Sequence, residues 1–178
     1  DFSKSNSMNN SGIAVVPADR HFSGCILDMS LAENLAFGRL EEFINKGRIN
    51  YSKLNRHASK LVEEFRISAP SLQTPFRFLS GGNQQKAVLA REMAKKPKLL
   101  VVSQPTFGLD VNAMSFIWDQ LREISNKNTP VLVVSNDLEE ILDLSETISV
   151  INRGTIVGEM KRQDFDVEKF GLLIGEKL

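Results

Sequence analysis

Residues 79–110 read LSGGNQQKAVLAREMAKKPKLLVVSQPTFGLD, and this stretch decides the fold. It opens on the turn Leu79-Ser80-Gly81-Gly82. Ala87, Val88, Ala90, Arg91, Met93 and Ala94 then suggest a helix that must end before Pro97, because the residue ahead of a proline is pushed out of the helical region. The apolar run Leu99 to Val102 has the length of a buried strand. A glycine pair at a helix start lets a ligand approach the backbone, and the free first-turn amides and the dipole favour an anion such as a phosphate. The Ser80 hydroxyl adds a donor. Taken alone, Ser-Gly-Gly is also an ordinary capping turn.

Working outward, a β-branched run from Gly12 to Val16 ends at Pro17, which removes a backbone donor and punctuates a strand. Ser30, with Glu33 three residues on, predicts a capping box at a short helix. Leu54, Ala58, Leu61, Val62 and Phe65 recur at helical spacing and predict an amphipathic helix. Val131 to Val134 and Ile148 to Ile151 are short apolar runs alternating with helical patterns over 113–124 and 137–144. That alternation predicts an α/β fold in which these runs are buried parallel strands of one layered, mostly parallel sheet. The tail reads as a turn at Gly154, a strand and a small terminal helix.

Composition narrows the function classes. With 178 residues, 42% of them hydrophobic, the chain suits one globular core. Lysine plus arginine equals aspartate plus glutamate at 22 each, so no net field favours nucleic acid, and any nucleotide site must be local. The single cysteine, Cys25, cannot form an internal disulfide; it reads as a small apolar residue and fits a reducing compartment. No apolar run approaches the roughly 18 residues of a membrane span. His21 and His57 have no metal-ligand spacing with Cys25, so both read as surface residues and no metal ligand is assigned. Phe22, Ile26, Leu27 and Met29 form an apolar group that reads as core ahead of interface. The chain opens at Asp1 with a polar run over 3–11 that lacks the apolar region of a secretory signal, which suggests a piece of a longer protein.

The ordered series of Leu79 to Gln85, a helix, the strand 99–102, then Gly108, Leu109 and Asp110, then 131–134 followed by Ser135 and Asn136, resembles the second half of an ATP-binding-cassette (ABC) nucleotide-binding domain. The narrower resemblance is to the second of two fused cassettes in the ATPases of bacterial importers for simple sugars and nucleosides. Residues 79–86, 104–111, 28–34 and 138–140 carry it. The resemblance implies an ABC-type P-loop fold with a helical subdomain, bound ATP and Mg2+, and the signature loop at Ser80, Gly81, Gly82 and Gln84. It also implies a Walker B strand ending at Gln104, a D-loop at Asp110 and a switch position at Asn136. Residues 18–96 would hold the Q-loop region and helical subdomain, 97–160 the Walker B, D-loop and switch region, and 161–178 a C-terminal tail.

Several positions depart from the family pattern. The glutamate that handles the attacking water is Gln104, the preceding aspartate is Ser103, the switch histidine is Asn136, and the Q-loop glutamine aligns with Ala18. Gln104 is a poor base, and Ser103 is a neutral, weaker metal donor. No Gly-Lys pair occurs, so the Walker A loop G-x-x-x-x-G-K-[ST] is absent, as expected of an N-terminally truncated domain. Paired head to tail with a first cassette, the signature loop would complete the partner's ATP site while this domain's own site is degenerate. Membrane permease subunits and, indirectly, a substrate-binding protein would be further partners. The site would be peripheral, on the cytoplasmic face of the membrane. An inert structural or regulatory pairing domain is the alternative, followed by a soluble ABC protein outside transport.

Overall fold

The computed structural model describes residues 12–175, the side chain of Ile174 excepted; the polar run over 3–11 lies outside them. The chain divides into two compact units, one ending at Val134 and the other beginning at Ser135.

In the first unit, strand β1 (Ile13–Val16) leads through a short turn (Arg20–Gly24) to helix α1 (Leu31–Ala36). The predicted capping box is present. Ser30 Oγ accepts from the Glu33 amide, and Glu33 Oε2 accepts from the Ser30 amide at 2.9 Å. A small antiparallel hairpin follows, β2 (Ile44–Asn45) and β3 (Arg48–Ile49), turned by Lys46 and Gly47, both at positive φ. Next come the amphipathic helix α2 (Tyr51–Glu64), helix α3 (Gly81–Ala94), strand β4 (Leu99–Ser103), helix α4 (Val111–Asn126) and strand β5 (Val131–Val134).

β1, β4 and β5 form a parallel sheet in that order. Register sorts its two faces. Ala14 and Leu100 pair in one row, Val16 and Val102 in the next, and all four are buried. The intervening row Val15, Val101 and Leu132 lies on the other face, where Val15 and Leu132 are exposed, as is Val134 beyond them. The expectation of fully buried strands is therefore corrected: period-two alternation leaves one face of β5 open among the described residues. On the covered side, α3 packs on β1 and α4 on β5. α3 meets α4 partly through Lys86, whose ammonium stands 4.1 Å from the Phe116 ring centre.

In the second unit, helix α5 (Leu138–Leu144), capped by Asp137, precedes strands β6 (Thr147–Asn152) and β7 (Thr155–Lys161) and helix α6 (Val167–Gly175). Ile148, Val150 and Met160 form its core, with Ile141, Leu142, Val157, Phe165, Phe170 and Leu173 packed around them. Here a second expectation is corrected. Ile148 to Ile151 does not join the parallel sheet; it pairs antiparallel with β7 through a two-residue turn, Arg153-Gly154, with both residues at positive φ. That geometry matches the right-handed twist of a tight hairpin.

Candidate functional site at the start of helix α3

Ser80 is the N-cap of α3, exposed, with extended backbone angles, and its Oγ accepts from the Asn83 amide at 3.4 Å and from Asn83 Nδ2 at 2.9 Å. Asn83 Oδ1 in turn accepts from the Ser68 amide, tying the cap to the segment after α2. Gly82 is buried: a Cβ built there would stand 2.7 Å from the Ala113 Cβ. A Cβ on Gly81 would stand 3.0 Å from Arg20 Nη2 and 3.8 Å from the Gly108 carbonyl oxygen. Gly82 is thus required by close packing on Ala113, while Gly81 is crowded only by the end of the Arg20 side chain, and this packing sets the 108–113 segment beside the helix start. First-turn amides have no intrahelical acceptor and carry the positive end of the dipole, so this corner can receive a phosphate oxygen.

Gln84, read from the sequence as a direct contact, turns inward. It is 4% exposed; Nε2 donates to the Phe76 carbonyl at 3.1 Å and Oε1 lies 2.8 Å from His21 Nε2. With the amide group fixed by Phe76, the oxygen faces the imidazole, so the ring presents its Nε2 proton. Gln85 Nε2 donates to the Pro105 carbonyl at 2.9 Å and ties α3 to the turn after β4. Asp110 is the N-cap of α4, its Oδ1 accepting from the Ala113 amide at 2.9 Å. Ser80, Gly81, Gly82 and Asp110 therefore border one corner of the first unit.

Gln104 follows β4 directly. Its amide donates to the Val134 carbonyl at 2.8 Å, extending the ladder past the strand, and its φ is +49°. A non-glycine residue in that region costs about 1–2 kcal/mol, which surrounding structure must offset. Ser103 and Gln104 are both half-buried, and neither brings a charge. A site made of these two donors does not suit Mg2+, which favours carboxylates and substrate phosphates. Ala18 is exposed and contributes no polar side chain. Asn136 belongs to the second unit, exposed, between Ser135, whose Oγ accepts from the Asp137 amide, and the α5 cap. Among the described residues no cluster of histidine, cysteine, aspartate and glutamate is arranged to hold a metal ion.

Solved structures share this architecture. A dimeric ATP-binding cassette in a post-hydrolysis state bound to ADP and Pi superimposes with a TM-score of 0.72 at 22% identity, covering 93% of this chain and 69% of that one. A nucleotide-free cassette from an ABC transporter gives 0.72 at 20%, covering 96% and 71%. At these identities the likeness concerns the fold. In sequence, 161 residues are 41% identical to the nucleoside import ATP-binding protein NupA of Lactococcus lactis subsp. cremoris, covering 89% of this chain and 32% of that protein. The chain belongs to the ATP-binding-cassette family. The guanosine import ATP-binding protein NupO of Bacillus subtilis is 38% identical over 169 residues, covering 92% of this cassette chain and 32% of that protein. The ribose import ATP-binding protein RbsA 1 of Rubrobacter xylanophilus is 35% identical over 160, covering 89% and 32%. The chain spans 32% of the length of each of these relatives. No protein-family model matches it.

Three sequence readings of the cassette's side chains need correction or sharpening. Phe22 is not core but 89% exposed, because the Arg20–Gly24 turn throws it outward. His57 is half-buried against the Phe43 ring, 5.2 Å between centres, and lines a cavity of about 580 Å³ with Lys60, Phe65, Met93, Lys96 and Ile124. Cys25 is partly covered, and burial raises its thiol pKa, which disfavours the reactive thiolate.

Burial, and then the Arg39 charge, lower the His57 pKa from its ordinary 6.5. The unfolded chain therefore binds a proton near pH 6.5 that the folded cassette does not, so this group makes stability fall as pH drops through 6.5 toward the folded pKa. His57→Gln is expected to flatten that part of a plot of unfolding free energy against pH; an unaltered slope would contradict it.

Proposed function

We propose that the chain is the signature-bearing part of a nucleotide-binding cassette that energises import of a simple sugar or nucleoside. It would act at the cytoplasmic face of the membrane, as a peripheral component held by permease subunits and, through them, coupled to a substrate-binding protein. No nucleic acid is involved. The relatives named above, all import ATP-binding proteins, support the transport class. The pairing role is supported by one observation: Ser80 with its two packed glycines adjoins the 108–113 segment, whereas the Walker B end offers only Ser103 and Gln104.

In this reading the cassette pairs head to tail with a first cassette, of the same or another chain. Ser80 Oγ and the opening amides of α3 would cap the terminal phosphate of an ATP held by that partner, with Asp110 beside them and Gln84 bracing the helix from behind. A nucleotide bound there supplies the phosphoryl group and its magnesium; this chain's residues supply orientation, a positive helix end and exclusion of water. At the end of β4 the cassette offers Ser103 and Gln104, neither of which carries a charge to polarise water, so in this reading the degenerate half does not need to turn over. No described helix is long and apolar enough to cross a membrane, and the spanning subunits in this scheme are separate.

Gln104→Glu in the assembled transporter is the test. Steady-state ATP hydrolysis is expected to stay within two-fold of wild type, because turnover runs at the other site. A ten-fold gain would mean that this cassette's own site limits the rate and would overturn the assignment. The chain purified alone is expected to hydrolyse no ATP.

A further inference from the structure

Arg20 and His21 are consecutive residues whose side chains grip two different segments. The turn that carries them is fixed at its root: Asp19 Oδ1 accepts from the His21 and Phe22 amides, each at 3.0 Å, and the Asp19 carbonyl accepts from the Ser23 amide and hydroxyl at 3.1 Å. From that base His21 reaches Gln84 inside α3. Arg20 Nη1 donates to the Phe107 carbonyl at 3.1 Å, and Nη2 lies against Gly81, where any side chain would displace it. The guanidinium therefore fills the gap between the start of α3 and the turn that leads to Asp110.

This placement carries a cost. A cation beside a helix N-terminus opposes the helix dipole, and Arg20 Nε is buried with no hydrogen-bond partner among the described residues. A neutral residue would fill the gap without either penalty but could not bridge to the Phe107 carbonyl with a charged, planar donor. We propose that Arg20 is a positioning residue: it sets the Phe107–Asp110 turn against Ser80 and Gly81, so that the signature loop and the D-loop close on the nucleotide as one surface. This inference rests on the signature reading given above.

The test is ATP hydrolysis by the assembled transporter carrying Arg20→Met, Arg20→Lys or Arg20→Ala. Arg20→Met is expected to lower kcat at least ten-fold with KM for ATP within two-fold, since ground-state nucleotide is held by the partner cassette. Arg20→Lys keeps the charge and stem but loses the fork, so kcat falls while the melting temperature stays at the wild-type value. Added guanidinium ion is expected to restore several-fold of the lost rate to Arg20→Ala. A kcat within two-fold of wild type in Arg20→Met, or losses that follow the melting temperature and ignore guanidinium, would overturn the proposal. Ser80→Arg measured alongside separates the two ideas: activity retained there overturns the signature reading and this inference with it. Activity lost in Ser80→Arg but kept in Arg20→Met overturns this inference alone.

Discussion

Gly82→Ala is expected to destabilise the first unit by about 1–3 kcal/mol, the usual cost of an extra methyl in a packed contact. A fall of several degrees in melting temperature follows for a domain of this size. The new Cβ would stand 2.7 Å from the Ala113 Cβ, and neither atom can swing away, because each is fixed to a helix backbone. Either α3 or the first turn of α4 must move. Ala113 donates its amide to Asp110, so displacement there also disturbs the N-cap of α4. Gly81→Ala is expected to be milder, since its nearest neighbour is the far end of the Arg20 side chain. Ala113→Gly should restore part of what Gly82→Ala loses, less the roughly 1 kcal/mol that glycine costs inside a helix. Thermal denaturation of Gly81→Ala, Gly82→Ala and the Gly82→Ala/Ala113→Gly pair checks this, and equal melting temperatures for Gly81→Ala and Gly82→Ala would contradict the clash at Ala113.

Ser80→Arg is expected to reduce ATP turnover of the assembled transporter at least a hundred-fold. The substitution removes the N-cap oxygen that holds Asn83, worth about 1 kcal/mol of helix stability, and replaces it with a long cation. Loss of the cap alone does not stop an enzyme. The larger effect comes from place: Ser80 is exposed at the corner where the partner's nucleotide would meet α3, and an arginine there fills the space the phosphate needs. Misplacement by an ångström at such a point costs on the order of a hundred-fold in rate.

Much of this was legible in the sequence because local chemistry decided it. Ser30 and Glu33 announced a capping box, Pro97 bounded α3, and the apolar period of 54–65 marked α2. The hairpin at 44–49 is not among the sequence expectations, and for the second hairpin the turn at Gly154 and the strand after it are expected but not their pairing with Ile148 to Ile151. A four-residue apolar run such as Ile148 to Ile151 does not reveal which strand it will pair with. The signal was available in Arg153-Gly154, two turn residues between β-prone runs, and in Lys46-Gly47. Gln84 enters with the signature loop through the family resemblance alone, and no residue pattern shows that α-helical geometry turns its side chain toward Phe76. Its link to His21 and that of Arg20 to Phe107 join residues 63 and 87 apart in the chain, so no spacing rule could have announced them.

Steady-state ATP hydrolysis by the assembled transporter, compared between Ser80→Arg and Gln104→Ala, separates the part played by the start of α3 from that of the β4 end. Ser80→Arg is expected to keep less than about a hundredth of the wild-type rate, the hundred-fold loss expected of a blocked phosphate corner, and Gln104→Ala to stay within two-fold of wild type. Wild-type turnover in Ser80→Arg, or loss of turnover in Gln104→Ala with the fold intact, would contradict the division of labour between the two halves.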